Sequence, residues 1–572
     1  MKGIICLLLL SVTLRAVSQD KSLHVYQVDA LEKVLKERVY FKNETDTLRV
    51  ARGETASAQF VVRANRDLVG LDAHVTAMVD GRAALGKAST GWVGYVKVGR
   101  RYGNPSKDIL HSASGYFPDP ILTDTVMDLD QGDIQPLWVS VKVPLNAAAG
   151  LYAGKVLISA KVQGKRQTFS KQLFIRVYPV SVPHTSLWVT NWMSFAPENL
   201  AYMNHGKNVA TFSPLYWQLL EQFAKMAGSH GQNMYRIFPV WLTSYTLDNG
   251  KYGFDFSHFD QEVEMFQRDG NLQRIEGGHL AWRSGGDWAA PYFVEVPVKE
   301  KKSNDQDAPG AALVTHTDGM HLVKLALSDP RTDQFLSQFL PALRKHLEEK
   351  GWLEKYVQHI GDEPADGNAA SYQKISEYVR KYLPGVKILD AVTASRSLEG
   401  SIDIWCPVLD LFKKDYGYFD TLRRRGNELW FYTCVVPQGN FANRFIELPL
   451  VQTRLLHWID YKYQATGYLH WGYNFWTGFE DPLQETARHR GMLPGGDCFI
   501  VYPGYHKLYS SIRLEAMRDG IYDYELLRML QTRDAAKANE IVSAVVLNID
   551  EYDSEVHHFR EMRRQLLEAL SE

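Results

Sequence analysis

Eight short strand-like runs follow Pro183, and helical segments separate most of them. Runs rich in β-branched and aromatic residues predict strands, whereas apolar residues at helical spacing predict amphipathic helices. Eight strands that alternate with helices are typical of a (β/α)8 barrel of the TIM type, which we expect over residues 184–504. The predicted strands are LWVTNW (187–192), NMYRIF (233–238), LQRIEG (272–277), KYVQHIG (355–361), VKILDA (386–391), SIDIWC (401–406), LWFYTC (429–434) and GYLHWG (467–472).

The regions on either side of this barrel have different patterns. Residues 19–180 consist of short alternating runs broken by turn residues, which predict an N-terminal antiparallel β-sandwich. Residues 505–572 predict a helical segment packed on the barrel, so the fold class is multidomain, β followed by α/β. The clearest strands of the sandwich are QFVVRAN (59–65), LWVSVKVPL (137–145), LYAGKVLISAKV (151–162) and FSKQLFIRVYPV (169–180).

The N-terminus resembles an export signal. Lys2 supplies positive charge, Ile4 to Leu10 form an apolar run, and Ala16-Val17-Ser18 offers a small-x-small cleavage site. We therefore expect a signal peptide over residues 1–18 and a periplasmic or secreted protein. The apolar run is shorter than the ~20 residues that span a bilayer, and no later segment is long and apolar enough. The net charge of -2 argues against a nucleic-acid partner.

A pair of adjacent acids, Asp362 and Glu363, follows the fourth predicted barrel strand. Active sites of such barrels are built at the carboxyl ends of the strands, where a substrate arrives. Like charges so close raise each other's proton affinity, so the pair indicates a functional site. The structural alternative is that Asp362 caps a turn and Glu363 forms an ion pair.

A long connection between Gly277 and Pro330 follows the third predicted strand. Connections in compact domains are usually ~2–6 residues long, so this one is exceptional. It lies on the catalytic face if the strand count is right. Its aromatic residues either wall a pocket or pack against each other in a surface insertion; they are Trp282, Trp288, Tyr292 and Phe293.

The seventh predicted strand lacks a nucleophile. Retaining glycosidases usually place a second carboxylate opposite the acid, yet no Asp or Glu occurs between Glu428 and Glu447. A substrate with a 2-acetamido group can supply its own amide oxygen as the nucleophile. One carboxylate must then polarise the amide N–H while its neighbour protonates the leaving oxygen, and adjacent acids suit this division.

Three motifs resemble glycoside hydrolase family 123, the bacterial β-N-acetylgalactosaminidases. They are HIGDEP (359–364), WGYNFW (471–476) and GGDCFIVYPGYHKLYSSIRLEAMRDGIYDYELL (495–527). The resemblance implies that Asp362 orients the acetamido group and stabilises an oxazolinium intermediate. It implies that Glu363 is the general acid and then the general base, without metal or cofactor.

Further candidates for substrate binding depend on their positions at strand ends. For each aromatic among them, packing in the core is an equal alternative. No phosphate-binding glycine loop, serine-nucleophile motif or zinc spacing occurs in the sequence. The candidates are Trp471, Tyr473, Asn474 and Trp476 after strand eight, Trp430 and Tyr432 on strand seven, Asp390 on strand five, and His279 after strand three.

We therefore expect an exported retaining exo-glycosidase that removes terminal β-linked N-acetylgalactosamine from glycans or glycolipids. A β-N-acetylglucosaminidase with the same mechanism is an alternative. A glycan-binding protein that has kept the scaffold without catalysis is another. A third is a conventional glycosidase in which Asp390 or another acid is the covalent nucleophile.

Overall fold

The computed structural model describes residues 22–38, 46–99, 105–110, 115–283, 287–312, 319–393, 396–486 and 493–572. The predicted signal peptide lies outside these residues. None of the helices in the described part of the chain is long and apolar enough to cross a membrane.

Two facing sheets form the N-terminal domain. One contains β1, β3, β8, β5 and β6 in that order, and the other contains β2, β10, β9, β4 and β7. All pairs are antiparallel except β2 with β10, which is parallel and departs from the predicted antiparallel sandwich. The strands are β1 (Leu23–Val28), β2 (Thr47–Arg52), β3 (Thr55–Ala64), β4 (Leu68–Val75), β5 (Ala88–Val98), β6 (Gly115–Leu122), β7 (Met127–Leu129), β8 (Ile134–Lys142), β9 (Gly150–Val162) and β10 (Lys165–Ser181).

The core of this domain lies between the two sheets. Phe60 and Val139 come from the first sheet and Ile158 and Ile175 from the second, and all four are fully buried. Side chains alternate between the two faces of a strand, so one face of each sheet supplies the core. The alternation in the sequence therefore predicted these strands correctly.

The middle of the chain alternates strands with helices. Its strands are β11 (Trp188–Asn191), β12 (Met234–Ile237), β13 (Ser244–Asp248), β14 (Lys251–Asp255), β15 (Arg274–Gly277), β16 (Ala281–Arg283), β17 (Tyr292–Val298), β18 (Gln306–Asp307), β19 (His321–Ala326), β20 (Tyr356–Gln358), β21 (Lys387–Val392), β22 (Ile404–Pro407), β23 (Glu428–Leu429), β24 (Phe431–Thr433) and β25 (Gly467–His470). Its helices are α1 (Pro197–Leu200), α2 (Pro214–Ser229), α3 (Pro239–Leu242), α4 (Ser257–Asp269), α5 (Pro330–Glu349), α6 (Ala369–Tyr382), α7 (Leu409–Lys414), α8 (Tyr416–Arg424) and α9 (Leu450–Lys462).

Each of the eight predicted strands is present, and all their pairings are parallel. β12, β15, β20, β21, β22 and β23 pair in this order, and β24, β25 and β11 form a second ladder. Only Trp430 separates β23 from β24, and its N–H donates to the carbonyl of Trp405 at 2.8 Å. Between β11 and β12, the backbone N–H of Val189 donates to the side chain of Asn233 at 3.0 Å.

Local sequence signals start several of the helices. Ser213 caps α2 by accepting the N–H of Tyr216, and Asp329 caps α5 by accepting the N–H of Arg331. A proline follows each cap, where its missing N–H costs nothing. These helices bury their apolar faces against the parallel strands.

The long connection after β15 is itself structured. β16, β17, β19 and β18 form a small antiparallel sheet in this order. The N–H of Ala281 donates to the carbonyl of Ile360 at 2.9 Å, which ties the connection to the segment after β20. The connection therefore packs at the carboxyl ends of the strands.

The C-terminal region begins with strands and not with a helix, which corrects the prediction for residues after 505. β26 (Tyr502–Gly504) and β27 (Lys507–Ser511) form a hairpin, and β27 pairs with β6 of the sandwich. The remaining elements are α10 (Ile512–Arg533), α11 (Ala535–Val545), β28 (Val546–Asn548), β29 (Glu551–Tyr552) and α12 (Val556–Ala569).

Candidate active site

The acid pair lies in the segment after β20, beyond His359, Ile360 and Gly361, and contacts to its backbone hold it in place. The guanidinium Nη1 of Arg283 donates to the carbonyl oxygens of Asp362 and Glu363 at 2.9 and 3.0 Å. The hydroxyl of Tyr292 donates to the same Asp362 carbonyl at 2.8 Å. Glu363 has a positive φ of 42°, which few side-chain-bearing residues adopt, so this turn depends on such contacts. The backbone of the pair is therefore fixed by contacts that do not involve its two carboxyl groups.

Asp362 is reachable from solvent and surrounded by cations. Its side chain is 38% exposed, and its Oδ2 lies 3.6 Å from Nη2 of Arg283. The protein around this half-buried carboxyl raises the pKa of Asp362, and the charges of Arg283, Arg236 and His359 reduce the rise without cancelling it. The three cations favour the ionised form of this carboxyl.

Arg236 comes from β12 and stacks on aromatic rings. Its guanidinium carbon lies 3.8 Å from the ring centroid of Trp192 and 4.9 Å from that of Phe238. Burial lowers the pKa of Arg236 to about 10, so its charge persists at neutral pH. The stacking on two rings holds this cation beside the acid pair.

Glu363 has a different environment from its neighbour. Its Oε1 accepts a hydrogen bond from the hydroxyl of Tyr432 on β24. Burial and then the charge of Asp362 raise the pKa of Glu363 to about 7, against the effects of Tyr432 and Arg283. A carboxyl with this pKa is poised to give and take a proton near neutral pH. Asp362 forms the ion pair with Arg283, whereas Glu363 pairs with no cation among the described residues, and the catalytic roles of both acids stay a prediction.

A buried network of charged groups lies next to the pair. Nε2 and Nδ1 of His359 lie 2.6 Å from Oε1 of Glu276 and Oδ1 of Asp390, and all three side chains are inaccessible. Glu276 also accepts from the hydroxyl of Thr190 at 2.6 Å and from the indole N–H of Trp192 at 2.7 Å. The network joins β11, β15 and β21 to the segment that carries the acids.

His279, His359 and Asp390 bring possible metal-ligand atoms within 4.8 Å of one another. A histidine ligand must direct a deprotonated nitrogen at the ion. Both nitrogens of His359 are instead engaged by carboxylates. We therefore interpret this cluster as a hydrogen-bonded ionic network, and the absence of a cofactor stays a prediction.

Three of the predicted substrate-binding residues, Tyr432, Trp471 and His279, lie in or near the group of side chains around the acid pair, and only Tyr432 makes a hydrogen bond to it. Tyr432 contacts Glu363, and the half-buried Trp471 packs on the same cluster of residues as Tyr432 and Trp192. His279 is buried edge-on against Trp192, and neither of its ring nitrogens has a hydrogen-bond partner among the described residues. Burial and the neighbouring cations keep the pKa of His279 well below its ordinary value.

Three of the residues after β25 that were predicted to bind the substrate belong to the core instead. Tyr473 and Trp476 are fully buried, and the indole N–H of Trp476 donates to the carbonyl of Val501 at 3.0 Å. Asn474 holds the backbone of Ser194 through both side-chain atoms, at 2.8 and 2.9 Å. A substrate cannot reach any of them.

Trp430 and Asp390 are also inaccessible. Trp430 packs over Gly467, where an added Cβ would lie 2.3 Å from the indole ring. Asp390 accepts hydrogen bonds from His359, from the hydroxyl of Tyr372 and from the N–H of Ile360. Asp390 therefore holds these neighbouring groups in place through hydrogen bonds and is not placed to contact a substrate.

The aromatic residues of the long connection divide into two groups. Tyr292 contacts the acid pair, and the ring of Trp288, 49% exposed, covers Arg283 with its centroid 3.6 Å from the guanidinium carbon. Phe293 is buried, and Trp282 stacks parallel to Trp241 with a centroid distance of 5.7 Å. Tyr292 and Trp288 of the connection therefore line the site, whereas Phe293 and Trp282 pack against other side chains.

Four charged residues of the site were not identified from the sequence: Arg236, Arg283, Glu276 and His359. Arg236, Glu276 and His359 each lie near the carboxyl end of a predicted strand. Charged residues within apolar runs at those ends are the signal that could have identified them. Arg283 lies in the long connection, where no such signal exists.

Two adjacent carboxyl groups with raised pKa values lie beyond the carboxyl end of a parallel strand and beside aromatic rings, and paired carboxyl groups are what most glycoside hydrolases use. The family comparison is more specific. Residues 195–530 match the glycoside hydrolase 123 catalytic domain, and residues 32–160 match the glycoside hydrolase 123 N-terminal domain. The chain belongs to glycoside hydrolase family 123, which confirms the family expected from its motifs.

A solved structure shares the fold over nearly the whole length. It is a family 123 glycoside hydrolase from Clostridium perfringens, described for glycolipid glycan hydrolysis. It is 16% identical, with 96% of this chain and 97% of that chain covered and a TM-score of 0.70. No curated protein matches the chain.

Two other structures align only loosely. One is a GH10 xylanase with a bacterial Ig-like domain from termite gut, at 10% identity, 70% and 91% coverage and a TM-score of 0.32. The other is a GH20 exo-β-N-acetylglucosaminidase from Vibrio harveyi, at 9% identity, 91% and 99% coverage and a TM-score of 0.26. Such low scores carry no argument about this chain.

Proposed function

We propose that this family 123 hydrolase removes terminal β-linked N-acetylgalactosamine with retention of configuration, and that the acetamido oxygen of the substrate is the nucleophile. The observation that carries the proposal is the contrast between adjacent acids. The pKa values of both acids are raised, that of Glu363 to about 7, but only Asp362 has the guanidinium groups of both Arg283 and Arg236 opposing the rise. One acid is suited to proton transfer and the other to holding a negative charge.

We propose that the eight parallel strands close into a (β/α)8 barrel. Two parallel ladders contain all eight, and Trp430 and Asn233 bridge the two gaps between them. In such a barrel the side chains at the strand ends converge on one site. The convergence of Arg236, Glu276 and Tyr432 near the acid pair supports this arrangement.

Glu363 performs the proton transfers in this mechanism. Protonated, it donates to the glycosidic oxygen as the bond to the sugar breaks. The resulting carboxylate then takes a proton from the water that attacks the intermediate. The hydroxyl of Tyr432 keeps its Oε1 in one position through both steps.

Asp362 serves the acetamido group. Its carboxylate accepts the amide N–H, which makes the amide oxygen a better nucleophile toward the anomeric carbon. The same negative charge then stabilises the cationic oxazolinium ring. Because the backbone carbonyl of Asp362 is held by Arg283 and Tyr292, this charge is preorganised for the intermediate.

A covalent glycosyl-enzyme intermediate has no good candidate among the described residues of this site. Asp390 is the nearest further acid that the sequence offered, and both of its oxygens are hydrogen-bonded and inaccessible. Strand β24 supplies Tyr432 where a conventional retaining enzyme would place its nucleophile. These observations favour the substrate's own oxygen over Asp390.

Trp471 is the proposed contact to the sugar ring. His279 is buried, and neither of its ring nitrogens is accessible, so it is not proposed as a contact. Trp471 offers a half-buried indole for the apolar face of a sugar ring. Because the Clostridium perfringens enzyme is described for glycolipid glycans, we propose glycans or glycolipids as the source of the terminal residue.

Hydrolysis of a matched pair of aryl β-glycosides tests the proposal. The N-acetylgalactosaminide should be cleaved much faster than the N-acetylglucosaminide, with the β-anomer released first as followed by proton NMR. A preference for the gluco epimer would make the protein a β-N-acetylglucosaminidase. Binding to arrayed glycans without turnover of either substrate, under conditions where Glu363→Gln binds equally, would make it a glycan-binding protein.

We also propose that the chain is exported to the periplasm or secreted, because residues 1–18 have the charge, apolar run and small residues of a signal peptide. N-terminal sequencing of protein recovered from the culture medium or periplasm should begin at or near Gln19. An intact Met1 in a purely cytoplasmic fraction would overturn this.

A further inference from the structure

His359 lies in a setting that only its protonated form satisfies. Each of its ring nitrogens lies 2.6 Å from a carboxylate oxygen, one of Glu276 and one of Asp390. A neutral imidazole has one donor and one acceptor, whereas an imidazolium has two donors. Burial alone would lower the pKa of His359, but Asp390 and Glu276 outweigh it and raise the pKa to about 9.

Both carboxylates accept hydrogen bonds from further donors, which favour their ionised forms. Glu276 receives Thr190 and Trp192 in addition to His359. Burial raises the pKa of Asp390, yet its oxygens also accept the hydroxyl of Tyr372 and the backbone N–H of Ile360. A carboxylate that accepts from several donors favours its charged form.

The network is connected directly to the acid pair. Asp390 holds the ring of His359 and, at 3.0 Å, the backbone N–H of Ile360. Gly361 alone separates this clamped segment from Asp362. The charge of His359 also acts on Asp362 through space and favours its ionised form.

The charges of the site balance when one proton is shared among its four carboxyl groups, and the proposed mechanism places that proton on Glu363. The anions are Asp362, Glu276 and Asp390, and the cations are His359, Arg236 and Arg283, so three charges of each sign cancel when Glu363 is neutral. A neutral His359 would leave the site with a net charge of -1, which favours protonation of Asp362. The other titratable groups that face the network are uncharged near neutral pH, because burial lowers the pKa of His279 and raises those of Tyr292, Tyr372, Tyr432 and Cys406.

We propose that His359 is a permanently protonated positioning residue whose charge, clamped between Glu276 and Asp390, sets the pH range in which Asp362 is ionised while Glu363 is protonated. It does not touch the substrate. The inference rests on the proposed roles of Asp362 and Glu363.

Variants that change the charge of the network in opposite directions test this inference through the pH dependence of kcat/KM. Asp362 must be ionised, so its pKa sets the acid limb, and Glu363 must be protonated, so its pKa sets the alkaline limb. His359→Gln removes a positive charge, raises both pKa values and should move both limbs to higher pH. Glu276→Gln and Asp390→Asn each remove a negative charge but also one of the two carboxylates that keep His359 protonated. Both limbs should therefore move to lower pH, by on the order of one pH unit, in any variant whose His359 still carries both N–H groups by NMR.

Glu262→Gln is the matched control. Glu262 lies on α4 away from the site, and burial raises its pKa to about 8, so its replacement by an amide changes no charge near neutral pH. Its pH profile should equal that of the wild type. A merely structural role for His359 would lower activity in all three variants without moving the limbs in opposite directions, and that result would overturn the inference.

A direct measurement on the folded wild type covers the case in which His359→Gln fails to fold. In NMR spectra of protein labelled at histidine nitrogens, one imidazole should keep both N–H groups at pH values above the ordinary histidine pKa of about 6.5. This signal should shift in Glu276→Gln and Asp390→Asn. If no signal meets both conditions, the inference is wrong, whereas wild-type protein that hydrolyses no N-acetylhexosaminide would instead overturn the proposed function.

Discussion

The hydroxyl of Tyr432 on β24 donates a hydrogen bond to Oε1 of Glu363 after β20. β24 belongs to the seventh of the eight parallel strands. In a conventional retaining glycosidase with a (β/α)8 barrel, that strand would carry the nucleophile. Here that strand supplies a donor to the acid. The contact stabilises the carboxylate form of Glu363 and opposes the effect of burial on its pKa.

Tyr432→Phe should therefore raise the pKa of Glu363 further. The alkaline limb of kcat/KM reports loss of the Glu363 proton, so it should move to higher pH by up to about one unit. The maximal rate should fall because the acid is less well oriented. Tyr116→Phe, at an exposed residue of the sandwich, is the control and should change neither quantity. An alkaline limb that stays in place or moves to lower pH would contradict the role of this hydrogen bond.

We expect the wild type to lose activity above about pH 7, where Glu363 gives up its proton, and Glu363→Gln should abolish this alkaline limb because the titrating group is gone. The loss of rate should be largest for substrates with poor leaving groups, since only these need a full proton on the departing oxygen. Activated aryl glycosides should retain more activity in the bond-breaking step. Plots of log kcat/KM against leaving-group pKa for both enzymes provide the measurement. Parallel plots would rule out Glu363 as the general acid.

Asp362→Asn keeps the size of the side chain and removes its charge. Loss of one preorganised contact of this kind costs about 10²–10³ in rate, and we expect a loss in that range. A thiazoline mimic of the oxazolinium intermediate should bind the wild type far more tightly than free N-acetylgalactosamine and should lose this advantage in the variant.

Fluorination of the substrate's acetyl group provides an independent check on the same step. Fluorine makes the amide oxygen a poorer nucleophile, so rates of the wild type should fall steeply with each added fluorine. A flat response together with weak thiazoline binding would mean that the acetamido group takes no part. Glu262→Gln should respond like the wild type in both experiments.

The strands and the acid pair could be predicted because their signals are local. Each strand is an apolar run, and Asp362 and Glu363 directly follow one of them. Burial of the residues after β25 depends on contacts with other parts of the chain. Trp476 and Asn474 are enclosed by the segments around Val501 and Ser194. The number of aromatics alone could not separate a rim residue from a core residue.

The same reason explains the other differences. β27 is short and half polar, and it is a strand because it pairs with β6, almost four hundred residues earlier. Arg283 reaches the acid pair because the long connection folds back over the strand ends. Neither contact leaves a periodic pattern in the sequence.

Gly361→Ala should damage the site with little effect on the rest of the fold. An added Cβ would lie 2.5 Å from a ring carbon of Tyr292. That ring cannot move away without breaking the hydrogen bond from its hydroxyl to the carbonyl of Asp362. We expect kcat/KM to fall at least about tenfold, while overpacking lowers the free energy of unfolding by about 1–3 kcal/mol.

The control for this change is Gly417→Ala. Gly417 lies in α8, and an added Cβ there would meet no atom within 4 Å. Stability should stay the same or rise slightly, because alanine is the better helix former. If Gly361→Ala retains wild-type kcat/KM, the clamp by Tyr292 is not needed for catalysis.

The sandwich and the C-terminal helices are joined by the buried ion pair of Asp119 and Arg513, with Nη2 2.8 Å from Oδ2. Arg513 also donates to the carbonyl oxygens of Arg444, Gly496 and Phe499, so β6 and α10 are locked to the loops beside the site. Asp119→Ala leaves this guanidinium buried without its counter-charge. Breaking one side of such a pair costs about 3–5 kcal/mol.

We therefore expect Asp119→Ala to lower the midpoints of urea and thermal unfolding strongly and to reduce the yield of folded enzyme. Glu377→Ala breaks the exposed pair with Lys374 on α6 and should leave both midpoints nearly unchanged. The enzyme that does fold should keep its pH profile, because neither Asp119 nor Arg513 belongs to the charge balance around Asp362. Unchanged midpoints in Asp119→Ala would show that the two domains are held together by their apolar contacts and not by this pair.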